Sequence, residues 1–362
     1  MTSITDRDVA VPAGGSAGLA GFGDLLKLAI FAAVVLTMPW WLVAIGGYEA
    51  LATKIVIWAL FAVGFDILLG FTGYLSFGHA FFFGGAAYIT GFVLRDFTSE
   101  IVPALIAALV ATFVFALALG FLTLKRSGIY FSILTLAFGQ MLHAAVLSIF
   151  GTYTGGDNGM TGLASPTLFG MHMRGHTMFF FAAILLILGY AIAQKIRNSP
   201  FGTMLRSIKE NPMRLEYTGV NVWAYKMAAF TISAMYAGVA GFLMVIYEPY
   251  VATEFTNWTT SGHVVIMSVI GGVGTLIGPM IGAAFMEYFA NVVQAFPSVG
   301  EQWRLILGLI FMSVVIFLPG GFMQIGAIVW KHTGHRVRAR RHNVPDMEPH
   351  EVRAAQMNRR EP

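Results

Sequence analysis

Six polar side chains lie inside otherwise apolar stretches of the chain. They are Asp66, Ser76, His79, Gln140, His143 and Glu287. Carboxylates and imidazoles in such places relay protons or ions, bind metals, or line a path for a polar solute. Neither histidine has a second ligand at a recognisable spacing, so hydrogen-bonded packing is the favoured role of His79. Gln140 and His143 are three residues apart, which predicts one polar stripe on a shared helix face.

Asp66 has two possible roles. An aspartate at the centre of a bilayer costs roughly 2.5–3.5 kcal/mol on insertion scales, so this side chain must face protein or water. It is either a buried, hydrogen-bonded structural residue or part of a translocation pathway. Whether a solute touches Gln140, His143 or Glu287 is equally open.

The composition defines the class of protein that must position these groups. Hydrophobic residues make up 57% of the 362 residues and charged residues only 11%, whereas soluble domains carry roughly 25% charged residues. Apolar runs of about 20 residues, the length that spans a bilayer core, recur along the chain. We therefore predict an all-α, polytopic helical membrane protein. The lack of cysteine excludes disulfides, thiolate metal sites and cysteine nucleophiles.

Nine or ten membrane-crossing elements are predicted. The clear spans are 25–45, 51–70, 72–94, 101–124, 128–150, 176–193, 223–247 and 302–320, and a glycine-interrupted stretch occupies 261–294. Lysine and arginine concentrate on the cytoplasmic side of membrane proteins, which places Lys125–Arg126, segment 194–226 and the tail after 330 inside. The tail reaches the cytoplasm only if 261–294 forms two elements, about 261–271 and 275–294. Gly271, Gly272, Gly274 and Gly278–Pro279 supply the break.

Three regions follow from this topology. Residues 1–24 are expected to form a disordered cytoplasmic tail, residues 25–325 the transmembrane domain, and residues 326–362 a basic cytoplasmic tail. The arginines of the last region could bind nucleic acid, but a positive cytoplasmic flank accounts for them without a nucleic-acid partner.

Small residues recur every four positions in two segments. One row is Ala229, Ser233, Ala237 and Gly241, and the other is Gly274, Gly278 and Gly282. Such rows let neighbouring backbones approach closely, which is how membrane helices pack. Packing within the bundle is the favoured interpretation, with a subunit interface or pathway lining as the alternatives.

The longest cytoplasmic segment, about 194–222, predicts two short amphipathic helices. Ser199 before Pro200 is a helix start, and Met204, Leu205 and Ile208 form one apolar stripe. Arg206 and Lys209 line another face. Asn211–Pro212 interrupts the chain, and a second helix from Met213 is capped by Gly219. Such a surface suits docking to another protein, although it could also merely close the loop.

This loop resembles the cytoplasmic coupling loop of permeases from branched-chain amino-acid ABC importers, of the LivM type. The matching residues are Ser199-Pro200-Phe201-Gly202, Arg206-Ser207-Ile208-Lys209-Glu210-Asn211 and Gly219-Val220-Asn221-Val222. The similarity runs from about residue 55 to 325 and includes "LLGFTGYLSFGHAFFFGGAAYITG", "GIYFSILTLAFGQML", "TGGDNGMTGL", "VIGGVGTLIGPMIGA" and "WRLILGLIFMSVVIFLPGG". Glu216 and Gly219 fall at the family's Glu-Ala-x-Gly element, where Tyr217 replaces the alanine. Asp66 also departs from the family, which has a neutral polar residue near that point.

The resemblance implies a non-catalytic permease subunit in the bacterial inner membrane. Its expected partners are a homologous permease, two cytoplasmic ATPase subunits and a periplasmic binding protein. No cofactor or metal is expected on this chain, and ATP would bind to the ATPases. Arg206, Lys209, Glu210, Glu216 and Gly219 are the expected ATPase-coupling residues.

Two rival functions remain. A self-sufficient ion-coupled transporter or channel would place carboxylates in repeat-related positions, and only Asp66 and Glu287 are obvious candidates. A membrane enzyme would need a catalytic cluster, and the chain shows none at a recognisable spacing. The substrate could be a branched-chain amino acid, urea, a short amide or an aromatic or other carboxylate.

Overall fold

The computed structural model describes residues 17–295, 303–318 and 320–324. Within these ranges the regular secondary structure is helical, apart from a small β-hairpin that pairs Thr167–Leu168 with Met171–His172. The helices are α1 (Ala17–Leu36), α2 (Met38–Ala44), α3 (Glu49–Thr72), α4 (His79–Asp96), α5 (Ile101–Thr123), α6 (Ile129–Ala144), α7 (Gly151–Thr154), α8 (His176–Asn198), α9 (Pro200–Glu210), α10 (Pro212–Tyr217), α11 (Val222–Tyr247), α12 (Trp258–Gly271), α13 (Ile277–Gln294) and α14 (Trp303–Phe317). A π-helical turn, Ala145–Ile149, extends α6, and 3₁₀ turns occupy Gly156–Asn158 and Thr253–Thr256. The predicted all-α fold is confirmed.

Long and short helices share the membrane domain. Five helices of the described part are long and apolar enough to cross a bilayer alone: α3, α5, α6 with its π turn, α8 and α11. The pair α1–α2, bent by 55°, forms a sixth span if counted as one. Helices α4, α12, α13 and α14 supply the short elements that the sequence predicted. Helix α1 begins at Ala17, eight residues before the predicted first span. Residues 1–16 and the whole predicted tail 326–362 lie outside the described residues.

Helix α3 is the centre of the bundle. Its side chains are buried on nearly every face from Leu51 to Thr72, because α4, α8, α11 and α13 surround it. The uniformly apolar sequence of α3 explains this position, since a helix that is hydrophobic all round belongs in a core. By contrast, α5 and α6 expose most of their surface.

The third predicted span begins later than expected. Helix α3 ends at Thr72, and Gly73 after it has a φ of +75°, a conformation that glycine adopts because it lacks a Cβ. Residues 73–78 are not helical, and α4 starts at His79. The prediction of a span from residue 72 was therefore wrong by seven residues. The irregular segment is held by α6, where the Ser132 hydroxyl donates to the Leu75 carbonyl at 2.6 Å. This contact satisfies a backbone group that lipid could not.

The predicted break within 261–294 is present. Helix α12 ends at Gly271, residues 272–276 form a loop, and α13 begins at Ile277. Gly272 and Gly274 have φ values of +118° and +84°, which glycine adopts without strain. The two helices form a hairpin beside α3. Gly274 lies in the loop, so the predicted row through Gly274, Gly278 and Gly282 was wrong as a single helix face.

The remaining small residues serve packing between helices. Ser233 and Gly241 of α11 face α4, and a Cβ at Gly241 would overlap the carbonyl of Phe83. Gly282 of α13 faces α12 so closely that a Cβ there would overlap the carbonyl of Met267. Both contacts fit the favoured interpretation, which is close packing within the bundle.

Candidate coupling loop and membrane-embedded polar groups

Helix α9 lies on the end of the bundle as an amphipathic helix. The Ser199 hydroxyl caps it by accepting from the Gly202 N–H at 3.2 Å, and Pro200 occupies the first turn. Leu205 and Ile208 are buried against the ends of neighbouring helices, which include α3, α8 and α11. The predicted helix start and apolar stripe are confirmed.

The two cations of α9 bind backbone carbonyls of the bundle. The Arg206 Nη2 donates to the Arg197 carbonyl at 3.0 Å, and the Lys209 Nζ donates to the Gly70 carbonyl at 2.9 Å. Gly70 lies in the last turn of α3, whose final carbonyls have no partner within the helix. The prediction that Arg206 and Lys209 line another face of the helix did not include this contact, in which the Lys209 ammonium fastens α9 to α3.

Helix α10 directly follows α9 at the same end of the bundle. The Asn211 side chain caps it by accepting from the Arg214 N–H at 3.1 Å, and Gly219 ends it with a φ of +82°. Glu210 and Glu216 are exposed. Met213 and Tyr217, four residues apart on one helix face, are 61% and 85% exposed. Met213 and Tyr217 thus form an exposed apolar pair beside the charged side chains of Arg214 and Glu216.

Asp66 is fully buried and binds the loop between α12 and α13. Its Oδ1 accepts from the Gly274 N–H at 2.7 Å, and its Oδ2 accepts from the Leu276 N–H at 3.0 Å. Gly70, one turn further along α3, lies so near that a Cβ there would come within 2.7 Å of the Gly274 Cα. Of its two possible roles, this geometry favours the structural one.

These contacts form one continuous assembly, which we call the latch: Asp66, Gly70, Lys209, Gly274 and Leu276. Lys209 joins α9 to α3, and Asp66 joins α3 to the α12–α13 loop. Helix α9 is thus bonded to α3, and through α3 it is connected to the α12–α13 loop. The sequence predicted each of these helices, but it did not predict the hydrogen bonds that join them.

His79 and Ser76 are buried hydrogen-bonding residues at the start of α4. The His79 Nε2 lies 2.8 Å from the Ser233 Oγ, and the ring packs among Phe61, Phe65 and Phe82. The Ser76 Oγ accepts from the Gly78 N–H at 3.3 Å. The packing role expected for His79 fits these contacts.

His143, three residues after Gln140 on α6, contacts the turn that precedes α12. The His143 Nδ1 lies 2.8 Å from the Thr256 Oγ1, and its Nε2 lies 3.4 Å from the Asn257 Nδ2. The buried Gln140 Nε2 has no hydrogen-bond partner among the described residues. The predicted polar stripe is present, and its partners Thr256 and Asn257 were not singled out from the sequence.

Glu287 is paired with a residue that the sequence did not single out either. Its Oε2 lies 3.4 Å from the Lys54 Nζ of α3. The sequence signal for this pairing was the one lysine that lies within the predicted span 51–70. Lys54 meets Glu287 while Asp66 meets Gly274 and Leu276, so α3 and α13 run antiparallel.

The comparisons with known proteins agree with this architecture. A family model described as the permease component of the branched-chain amino acid transport system matches residues 47–315. The chain belongs to this family. It is similar to the high-affinity branched-chain amino acid transport system permease protein LivM of Salmonella typhimurium, with 24% identity over 83% of this chain and 75% of the relative. LivM of Escherichia coli is 26% identical over the same shares of both chains.

Relatives in the family serve different solutes. The nucleoside ABC transporter permease protein NupC of Lactococcus lactis is 30% identical over 42% of each chain. No solved structure gave a significant match. The chain is thus a transmembrane permease of the ABC-transporter type, and family membership does not fix its solute.

Proposed function

We propose that this permease forms half of an inward translocation pathway for branched-chain amino acids or a related small polar solute, and that separate ATPase subunits drive it through α9 and α10. The observation that carries the proposal is the latch, since α9 is fastened to the membrane helices while α10 presents an exposed apolar pair. A loop that merely connected α8 to α11 would need neither feature.

The partners follow from the same family. The complex would contain a second, homologous permease, two cytoplasmic ATPases and a periplasmic binding protein in the bacterial inner membrane. Similarity to LivM, a branched-chain amino acid permease, across most of both chains supports the amino-acid class. Both termini of the permease would be cytoplasmic.

Coupling proceeds as a rigid-body step. When ATP closes the ATPase dimer, the ATPase pushes on Met213 and Tyr217 of α10, and α9 moves with α10. Lys209 then displaces the end of α3, and Asp66 displaces the α12–α13 loop. Packed helices transmit such a shift because they deform little.

The test combines Glu216→Ala with Gly219→Pro in the complete transporter. Proline fixes φ near −65°, whereas Gly219 requires +82°, so the exit from α10 must change. We expect the complex to assemble and hydrolyse ATP while solute uptake into proteoliposomes is lost.

Gly46→Pro is the matched control. Gly46 also has a positive φ, +90°, open space at its Cβ position and an N–H bonded three residues back, but it lies between α2 and α3, away from α9 and α10. Unchanged uptake by the double variant would overturn the coupling role. Uptake driven by an ion gradient through the purified single chain would instead establish the alternative, a secondary transporter.

A further inference from the structure

A polar cavity of about 440 Å³ opens between α3, α12 and α13. Its floor is apolar and buried, formed by Trp58, Met244 and Met286. Its rim contains Glu254 and Thr259, which are exposed. Pockets for small molecules have roughly this size, about 300–1,000 Å³, and this combination of an apolar lining with a few polar groups.

The rim lies on the side of the membrane opposite the latch. Glu254 belongs to the 3₁₀ turn Thr253–Thr256, and the Thr253 hydroxyl donates at 2.8 Å to the carbonyl of Gly156 in loop 151–175. The charge pattern predicts that this loop faces outward. A solute released outside would therefore meet the cavity before the latch.

Lys54 and Glu287 face each other in the wall of this cavity. Their 3.4 Å separation is longer than the 2.7–2.9 Å typical of a charge-assisted hydrogen bond. The ammonium has three N–H donors and the carboxylate has two acceptor oxygens. Among the described residues, neither group forms an ion pair other than this one. Both groups therefore keep capacity for a further ligand, unlike Asp66, whose two oxygens are each bonded to backbone N–H groups.

We propose that this cavity is a binding site for the transported solute, which the proposed function takes to be an amino acid with an apolar side chain. The solute carboxylate binds Lys54, its ammonium binds Glu287, and its side chain lies on Trp58, Met244 and Met286. The inference rests on the proposed function and adds a binding site to it. A charged pair in this position selects a zwitterion over a neutral nucleoside of similar size.

A purely structural ion pair predicts different behaviour from a binding site. Replacing a structural pair by apolar residues of similar volume is often neutral or stabilising. Replacing a pair that binds a zwitterion removes both of the solute's charged contacts. The double variant Lys54→Met/Glu287→Met therefore distinguishes the two roles.

The experiment measures uptake of radiolabelled L-leucine by the complete transporter in proteoliposomes. Lys54→Gln, Glu287→Gln and the double methionine variant are compared with Asp96→Asn, which alters an ion pair at the end of α4, outside the cavity. We expect each cavity variant to raise the half-saturating leucine concentration by about tenfold or more, because each removes a hydrogen bond to a charged group. Asp96→Asn should leave it unchanged. Assembly of the complex and its ATPase activity without solute report on folding.

Wild-type leucine uptake by the double methionine variant would overturn the cavity site and leave the transport function standing. Absence of leucine uptake by the wild-type complex would instead refute the amino-acid class and the site together. Loss of uptake with intact assembly and ATPase activity, confined to the cavity variants, supports the site.

Discussion

Replacing Asp66 by alanine removes the acceptor for two backbone N–H groups, one buried at Leu276 and one partly buried at Gly274. The Gly274 and Leu276 amides donate to its two oxygens at 2.7 and 3.0 Å, and the aspartate is fully buried. A buried donor left without a partner costs about 1–3 kcal/mol. Two such donors predict that Asp66→Ala destabilises the permease by about 2–6 kcal/mol.

Asp66→Asn should cost about half as much. Asparagine keeps one acceptor oxygen, so it can serve one N–H group but presents an amide donor to the other. One unsatisfied donor costs about 1–3 kcal/mol. The size of the side chain is nearly unchanged, so the difference between the two variants isolates the hydrogen bonds from the packing.

The assay is thermal unfolding of the purified complex in detergent, combined with uptake in proteoliposomes. The midpoint temperature should fall in the order wild type, Asp66→Asn, Asp66→Ala, and uptake per complex that remains folded should fall less for asparagine. Ser313→Ala, on the exposed side of α14, is the control for a general loss of stability. Wild-type stability of both variants, with uptake abolished by Asp66→Asn, would refute the structural role and identify Asp66 as a pathway residue.

Two further substitutions test the latch and the hairpin. Lys209→Met leaves the Gly70 carbonyl without its ammonium partner. The loss should be about 1 kcal/mol, below the roughly 1.5–3 kcal/mol of charged hydrogen bonds, because the lysine is exposed. We expect fewer solute molecules transported per ATP hydrolysed, whereas Lys195→Met should retain the wild-type ratio. Gly282→Ala forces a Cβ against the Met267 carbonyl and should lower stability by about 1–3 kcal/mol, as overpacking does. Gly262→Ala, where a Cβ meets open space, should be nearly neutral in the same melting experiment.

Local sequence signals predicted the elements that local chemistry determines. Ser199 and Pro200 identified the start of α9, because capping involves residues within one turn. The glycines near 272 identified the break between α12 and α13, and the requirement that the basic tail lie inside indicated two elements there. The beginning of α4 was missed because the residues from Thr72 to Gly78 are no more polar than many that lie within spans. Their extended path depends on contacts with α6.

The functional contacts could not be predicted because they join distant parts of the chain. Lys209 binds a carbonyl 139 residues away, and Asp66 binds amides 208 and 210 residues away. A lysine on an amphipathic helix is ordinarily solvated, so its type and position gave no sign of Gly70. Lys54 was likewise a single cation in a long apolar helix until the structure placed Glu287 beside it.

The carboxylates of Asp66 and Glu287 act at opposite ends of the same helix pair. Along α3, Lys54 and Asp66 are twelve residues apart, or about 18 Å at 1.5 Å per residue. At one end, Asp66 holds α3 to the loop that begins α13, and α9 reaches that end through Lys209. At the other end, Lys54 meets Glu287 through a contact that a zwitterion could replace. If solute binding and ATPase closure both change how α3 sits on α13, each must alter the free energy of the other by the same amount. This reciprocity gives one helix pair a means to make closure of the ATPase dimer depend on the presence of solute.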